Sequence, residues 1–122
     1  MFLNLTNHPA EHWDEKQKTA AQTYGEIVDF PFPAVDPELD ERGLAEFAAS
    51  LAETVCGMKP DAVLLQGEMG LTYCLTHALL RRGVTVLHAT SRREAVERVL
   101  PDGTTEKTAR FAFCRFRLYA EI

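Results

Sequence analysis

The sequence predicts one α/β domain over residues 1–122, with a mainly parallel sheet, flanking helices and a C-terminal antiparallel β-hairpin. Three observations predict this fold class. Short apolar segments alternate with segments of helical spacing. Residues 61–66 form a continuous apolar run, as in a strand that is buried on both faces. An Asp102-Gly103 pair separates two β-rich segments near the end of the chain.

The elements follow one another in a regular order. Predicted strands span residues 2–6, 26–30, 61–66 and 84–89, and predicted helices span residues 11–24, 39–57 and 71–82. Pro9 suits the first turn of the first helix, and Gly25, Gly57 and Gly83 end the three helices. Segments 96–100 and 108–119 then form the predicted hairpin. Because apolar residues fall at both parities of the last strand, we expect it to be covered on both faces.

Composition and charge exclude several classes of protein. No apolar run reaches the ~20 residues of a membrane span, and no secretion signal is recognisable, so we expect a cytoplasmic protein without membrane contact. The net charge of −5 argues against a general nucleic-acid coat, so DNA is not an expected partner. Eight of the nine basic residues after Pro60 are arginines, which suit phosphate recognition. An anion site is therefore expected in the second half of the chain.

Ligands of open α/β sheets bind outside the carboxyl ends of the strands. This rule selects four predicted loops as candidate site segments: Thr6-Asn7-His8, Pro31-Phe32-Pro33, Gln66-Gly67-Glu68-Met69 and Thr90-Ser91-Arg92-Arg93. The function predicted from the sequence requires these loops to meet at one edge of the sheet.

The loop predicted after the fourth strand favours anion binding. Thr90 and Ser91 carry hydroxyls, and Arg92 and Arg93 carry guanidinium groups that form charge-assisted hydrogen bonds with phosphate oxygens. The alternative is an ordinary turn whose arginines face water or pair with nearby glutamates.

Two glycines, Gly67 and Gly70, flank Glu68 and Met69 before the third predicted helix. Backbone N–H groups at a helix start attract anions. The segment is neither a G-x-G-x-x-G fingerprint nor a Walker loop, so no dinucleotide or triphosphate cofactor is predicted. The glycines serve equally well in tight strand-to-helix packing. Gln66 is a candidate for reading a base or ribose edge.

His8 is the one histidine that the sequence places in a strand-end loop. Histidine titrates near neutrality, so His8 is a candidate general acid or base; a helix-capping role is the alternative. Residues 8–12 also match the zinc pattern H-x-x-E-H. Pro9 disfavours helical geometry at His8, and no third ligand is identified, so no metal is predicted.

Motifs spread over nearly the whole chain carry a family resemblance. They lie in residues 1–9, 25–29, 31–33, 66–69, 90–92 and 113–117. In these segments the chain resembles small stand-alone proteins associated with type III CRISPR systems. These small proteins resemble the CRISPR-associated Rossmann-fold (CARF) sensor domains, which bind cyclic oligoadenylate messengers. The group includes ring nucleases, which destroy the messengers. The resemblance implies a Rossmann-like, CARF-like domain over residues 1–122.

The same resemblance implies a ligand and a reaction. A cyclic oligoadenylate, with cyclic tetra-adenylate as the expected ring, would bind at the interface of a homodimer whose twofold axis matches the symmetry of the ring. A metal-independent ring nuclease directs a ribose 2′-hydroxyl in line against the adjacent phosphorus, which leaves linear products with 2′,3′-cyclic phosphate ends. Such cleavage would switch off type III CRISPR signalling in antiviral defence.

The resemblance supports this class of ligand and carries no catalytic motif over to individual residues, so the candidates for each role come from the predicted strand-end loops. The catalytic candidates are His8 for proton transfer, Glu68 as its alternative and Arg92 for the phosphate. The ligand-binding candidates are Thr6, Asn7, Gln66, Gly67, Met69, Thr72, Thr90, Ser91 and Arg93. A second hypothesis, from another class, is a binding-only sponge or sensor for the ring, without catalysis. A third is an unrelated α/β enzyme that acts on a phosphate metabolite.

Overall fold

A five-stranded sheet organises the chain. Strands β1 (Phe2–Leu5), β2 (Ile27–Asp29), β3 (Ala62–Leu65) and β4 (Val86–Val99) run parallel, and β5 (Thr105–Leu118) is antiparallel to β4. The order across the sheet is β2-β1-β3-β4-β5. The structure is a computed structural model and describes residues 1–120. The predicted α/β class, with its mainly parallel sheet and C-terminal hairpin, is confirmed.

Helices cover both faces of the parallel strands. They are α1 (Glu15–Gln22), α2 (Glu41–Gly57) and α3 (Met69–Arg81). Alternate residues of β1 and β3, such as Leu3 and Val63, pack with α2 and α3 in one core cluster, and their neighbours, such as Phe2 and Leu64, pack with Trp13 and Ala21 in the other. Every residue of β1 and β3 is therefore buried, as the apolar run predicts.

The first helix begins later than the sequence predicts. A 3₁₀ turn (Ala10–His12) comes first, and Trp13 is then extended, with its indole N–H donating to the carbonyl of His8 at 3.0 Å. Asp14 starts α1, because its carboxylate accepts the N–H of Gln17 at 2.8 Å. Helical spacing did not reveal this break, since a tertiary contact of the indole determines it.

β4 is one continuous strand where the sequence predicts a strand, a loop and a hairpin segment. It pairs with β3 at Val86 and Leu87 and then continues beside β5 as a two-stranded ribbon. The prediction that the last strand is covered on both faces is wrong: residues 105–111 are exposed, and Phe113 is the buried residue of β5. The parallel strands end too early to support the outer ribbon. The Asp102-Gly103 turn is present as predicted, with Gly103 at a φ of +86°.

Among the described residues, no helix is both long and apolar enough to cross a membrane.

Candidate functional site

The strand order reverses between β1 and β3. Within the sheet, β2 lies next to β1 on one side, and the chain then crosses to β3, which lies next to β1 on the other side. In open parallel sheets of this order, ligands bind in the crevice outside the carboxyl ends of the strands at this point. Residues 6–8 follow β1 there, and residues 66–68 follow β3. Two of the predicted segments therefore meet at the expected edge.

A buried asparagine fixes the loop after β1. Asn4 is 1% exposed, and its Nδ2 donates to the carbonyl of His8 and to Oδ1 of Asp29, each at 2.9 Å. The hydroxyl of Thr6 donates to Oδ1 of Asn4 at 2.8 Å and accepts the N–H of His8 at 3.1 Å. Thr6 is therefore buried and structural, while the backbone of His8 is held and its side chain remains exposed.

The first hollow at this edge, called the His8 hollow, has a volume of about 450 Å³. Polar side chains that line it include Thr6, His8, His12, Gln17, Gln66 and Ser91. It lies on the α1 side of the sheet, beside Trp13. Two imidazoles, those of His8 and His12, thus line one hollow together with the end of β3. They are the two histidines of the H-x-x-E-H pattern at residues 8–12.

Gln66 lies between two hollows. Its Oε1 accepts the N–H of Ala89 at 3.0 Å, so the side chain joins the end of β3 to β4. Gln66 lines the His8 hollow and also a second, larger hollow beside α3. Its side-chain amide nitrogen is the group left to meet a ligand at the rim.

The second hollow, called the α3 hollow, has a volume of about 1180 Å³. The predicted residues that line it are Gln66, Gly67, Met69 and Thr72. Tyr73, Thr76, His77, Arg81 and Tyr119 also line it. Met69 and Tyr73 are 85% and 75% exposed, and the hydroxyls of Thr72 and Thr76 have no hydrogen-bond partner among the described residues. The hollow therefore combines apolar, aromatic, hydroxyl and cationic groups, which suits a nucleotide-like ligand better than a purely apolar one.

Glu68 is a helix cap. Its carboxylate accepts the N–H groups of Gly70 and Leu71, so the anion at the start of α3 is the protein's own side chain. This contact occupies the N–H groups that the sequence offered to a phosphate. Gly67 is required for packing, because a Cβ there would overlap the ring of Phe32. Close packing is thus the role that the structure gives Gly67.

Thr90, Ser91, Arg92 and Arg93 lie within β4, so the prediction of a loop there is wrong. Successive side chains of a strand point to opposite faces. Ser91 lines the His8 hollow, and Arg92 therefore points to the opposite face, with Thr90, whose hydroxyl donates to the carbonyl of Arg115 at 2.9 Å. Arg93 shares the face of Ser91 but lies two residues further along β4, away from the centre of the sheet. The predicted meeting of His8 and Arg92 in one hollow does not occur.

Asn7 is exposed and lines neither hollow. The sequence did not indicate Thr76, Arg81 and Tyr119 as lining residues. It made Tyr73 a candidate for base stacking or for the core, and it favoured a structural role for His77; both line the α3 hollow. His12, which the sequence offered only within the zinc pattern, lines the His8 hollow. The signal for the α3 residues was present, since Met69, Thr72, Tyr73 and Thr76 are spaced as one face of a helix. That face is polar and aromatic together, and it belongs to a helix rather than to a strand-end loop.

Two titratable side chains near the α3 hollow, those of Tyr119 and His88, have shifted pKa values. Burial raises the pKa of Tyr119. Burial first, and then the positive charge of Arg117, lowers the pKa of His88, whose ring centre lies 4.8 Å from that of Tyr119. The hairpin base therefore presents positive charge next to the hollow.

Residues 1–117 match the model of the family described as "Uncharacterized protein MJ1673 family". No curated protein matches the chain.

Proposed function

The chain belongs to the uncharacterized protein MJ1673 family, and we propose that it binds a cyclic oligoadenylate at the carboxyl edge of its parallel strands. The observation that carries the proposal is the pair of hollows that meet at Gln66, at the point where the strand order reverses. A ring of linked nucleotides offers repeated bases and phosphates, and two neighbouring hollows accommodate such a repeat. In a homodimer, the ring would meet two copies of each hollow, one from each subunit.

Binding without cleavage is the function that the geometry supports best. Arg92 lies on the face of β4 opposite the His8 hollow, and the carboxylate of Glu68 is engaged by backbone N–H groups. Neither Arg92 nor Glu68 lines the His8 hollow. A protein that retains the messenger intact would lower its free concentration in the cytoplasm and so reduce type III CRISPR signalling.

Cleavage is the second candidate, because His8 and His12 line the same hollow. One imidazole would remove the proton of a ribose 2′-hydroxyl, whose oxygen attacks the adjacent phosphorus. The other, protonated, would give its proton to the departing 5′-oxygen. The P–O5′ bond breaks, and the products are a 2′,3′-cyclic phosphate and a 5′-hydroxyl on a linear chain. This step needs neither Arg92 nor a metal ion.

The test is incubation with radiolabelled cyclic tetra-adenylate in EDTA, followed by separation of bound ring and products. Retention of intact ring supports the sponge or sensor, and linear products with cyclic-phosphate ends support the nuclease. Absence of both refutes the proposal. Cyclic hexa-adenylate in parallel tests the size of the ring.

Variants locate the site within that assay. We expect Gln66→Ala to weaken binding at least tenfold, because Gln66 borders both hollows and its amide is placed to hydrogen-bond the ligand. Gln22→Ala is the matched control, since Gln22 is an exposed residue of α1 that lines neither hollow. If products form, His8→Ala and His12→Ala should each slow cleavage while the affinity for intact ring changes little.

A further inference from the structure

An exposed row of arginines runs along one face of the hairpin base. Arg115 and Arg117 lie two residues apart on β5, so they share a face and are about 7 Å apart along the strand. Arg115 is the partner of Thr90 across the ladder, and Arg92 follows Thr90 two residues further along β4. The arginine row, defined as Arg92, Arg115 and Arg117, therefore occupies neighbouring positions on the same face.

The charges of the arginine row are not neutralised within the described part of the chain. Arg92, Arg115 and Arg117 are exposed, and none has a carboxylate within 4.0 Å among residues 1–120. Arg115 donates through Nε to the carbonyl of Phe116 at 3.3 Å, which leaves its terminal nitrogens for another acceptor.

The outer hairpin provides the contrast. Arg98 donates to Glu106 at 3.0 Å, and Arg110 donates to Glu94 at 2.9 Å. Arg98 and Arg110 thus have acidic partners across the ladder, whereas the arginine row has none in the part of the chain that the structure describes. Within that part, the charge of the row lies where the hairpin adjoins the rest of the protein.

The arginine row is continuous with the α3 hollow. Tyr119 lies two residues beyond Arg117 and lines that hollow, and Arg81 lines it from α3. His88, the partner of Arg117 across the ladder, has its pKa lowered by burial first and then by the charge of Arg117. A ligand that extends out of the hollow toward β5 would meet aromatic rings first and guanidinium groups next.

We infer that the arginine row binds successive phosphodiester groups of a ligand whose bases occupy the α3 hollow. Guanidinium groups form two-point hydrogen bonds with phosphate oxygens. Tyr73 and Tyr119 offer rings for base stacking. The identity of the ligand as cyclic oligoadenylate rests on the proposed function, whereas the phosphate-binding row stands on its own geometry.

The experiment compares two double variants that remove equal charge. Arg115→Gln/Arg117→Gln, called the row variant, removes two of the three charges of the arginine row, and Arg98→Gln/Arg110→Gln removes two paired arginines of the same hairpin. Binding of fluorescent cyclic tetra-adenylate is measured by anisotropy over a range of salt concentrations, with linear tetra-adenylate as a second probe. Circular dichroism melting checks that both variants fold.

We expect the row variant to bind at least tenfold more weakly and to lose about 0.7 of the log–log salt slope per phosphate contact removed. The control should keep both the affinity and the slope. Equal losses in the two variants, or wild-type binding in the row variant, would overturn the inference and leave the proposed function standing. If the wild-type protein binds linear but not cyclic tetra-adenylate, and the row variant binds neither, the result supports the arginine row and refutes the ring as the ligand. Failure of both probes to bind the wild type overturns both proposals.

Discussion

Replacement of Gly67 by alanine tests how tightly the candidate site is built. Gly67 follows Gln66, and a Cβ on it would lie 2.5 Å from Cγ of Phe32 and would overlap two further ring carbons. Carbon atoms pack at about 3.5–4.0 Å, so the ring would have to retreat by about 1 Å. Phe32 is 8% exposed and belongs to the core cluster under α2 and α3, which leaves it little room. The φ of Gly67 is not positive, so the contact, rather than backbone strain, determines the effect.

We expect Gly67→Ala to lower the free energy of unfolding by about 2 kcal/mol, in the middle of the range for overpacked cores. For a domain of this size, the corresponding fall in Tm is roughly 6–12 °C. Urea denaturation followed by circular dichroism measures the change as a shift of midpoint at constant slope. Gly57→Ala is the matched control, because a Cβ at Gly57 meets no atom within 4 Å; it should leave stability unchanged or slightly raised.

A double-mutant cycle assigns the effect to the ring. Phe32→Ala alone should be destabilising by about 3 kcal/mol through lost packing. In that background, Gly67→Ala should change stability by less than about 0.5 kcal/mol, because its methyl group enters the space that the ring has left. Additive effects of the two substitutions would refute the reasoning, as would wild-type stability of Gly67→Ala.

Three further predictions concern residues around the site. Asn4→Ala removes two donor hydrogen bonds, to His8 and Asp29, and should lower the unfolding free energy by about 2–3 kcal/mol in urea titrations; an unshifted midpoint would show that the loop is held by other contacts. Glu68→Ala removes the cap of α3 and should lower the free energy of unfolding by about 1 kcal/mol, measured by thermal melting. An unchanged melting curve would contradict the capping role. Burial, and then Arg117, lowers the pKa of His88 in the folded protein, so the unfolded chain binds more protons below the ordinary value of 6.5 and stability falls as pH decreases. His88→Gln should flatten the stability curve between about pH 7 and pH 5; superimposable curves for the two proteins would refute this.

The parallel part of the fold was predictable because its signals are local. Residues 61–66 are apolar throughout, and this run corresponds to β3, buried on both faces between two helical layers. The strand-end rule then located residues 6–8 and 66–68 at one edge, where they lie. Periodicity and strand order together were therefore sufficient to find Gln66 and His8 and to place them near each other.

The role of β4 was not predictable in the same way. Residues 90–93 are polar and lack the alternation of a half-buried strand, so their sequence resembles a loop. They form a strand because β5 pairs with them along the whole hairpin. Backbone pairing with a partner strand requires no apolar face, which is why composition gave no sign of it.

The amino-acid order alone determines the alternation of strands and helices, the turn at Asp102-Gly103 and the edge of the sheet that holds the candidate site. Each of these depends on neighbours in the chain or on strand order. Only the tertiary structure decides that Arg92 points away from His8, that Glu68 caps its own helix and that Arg115 and Arg117 have no carboxylate partner among residues 1–120. The physical reason is that the face a side chain occupies depends on the length and pairing of its strand, and the availability of a charge depends on partners that are distant in the sequence.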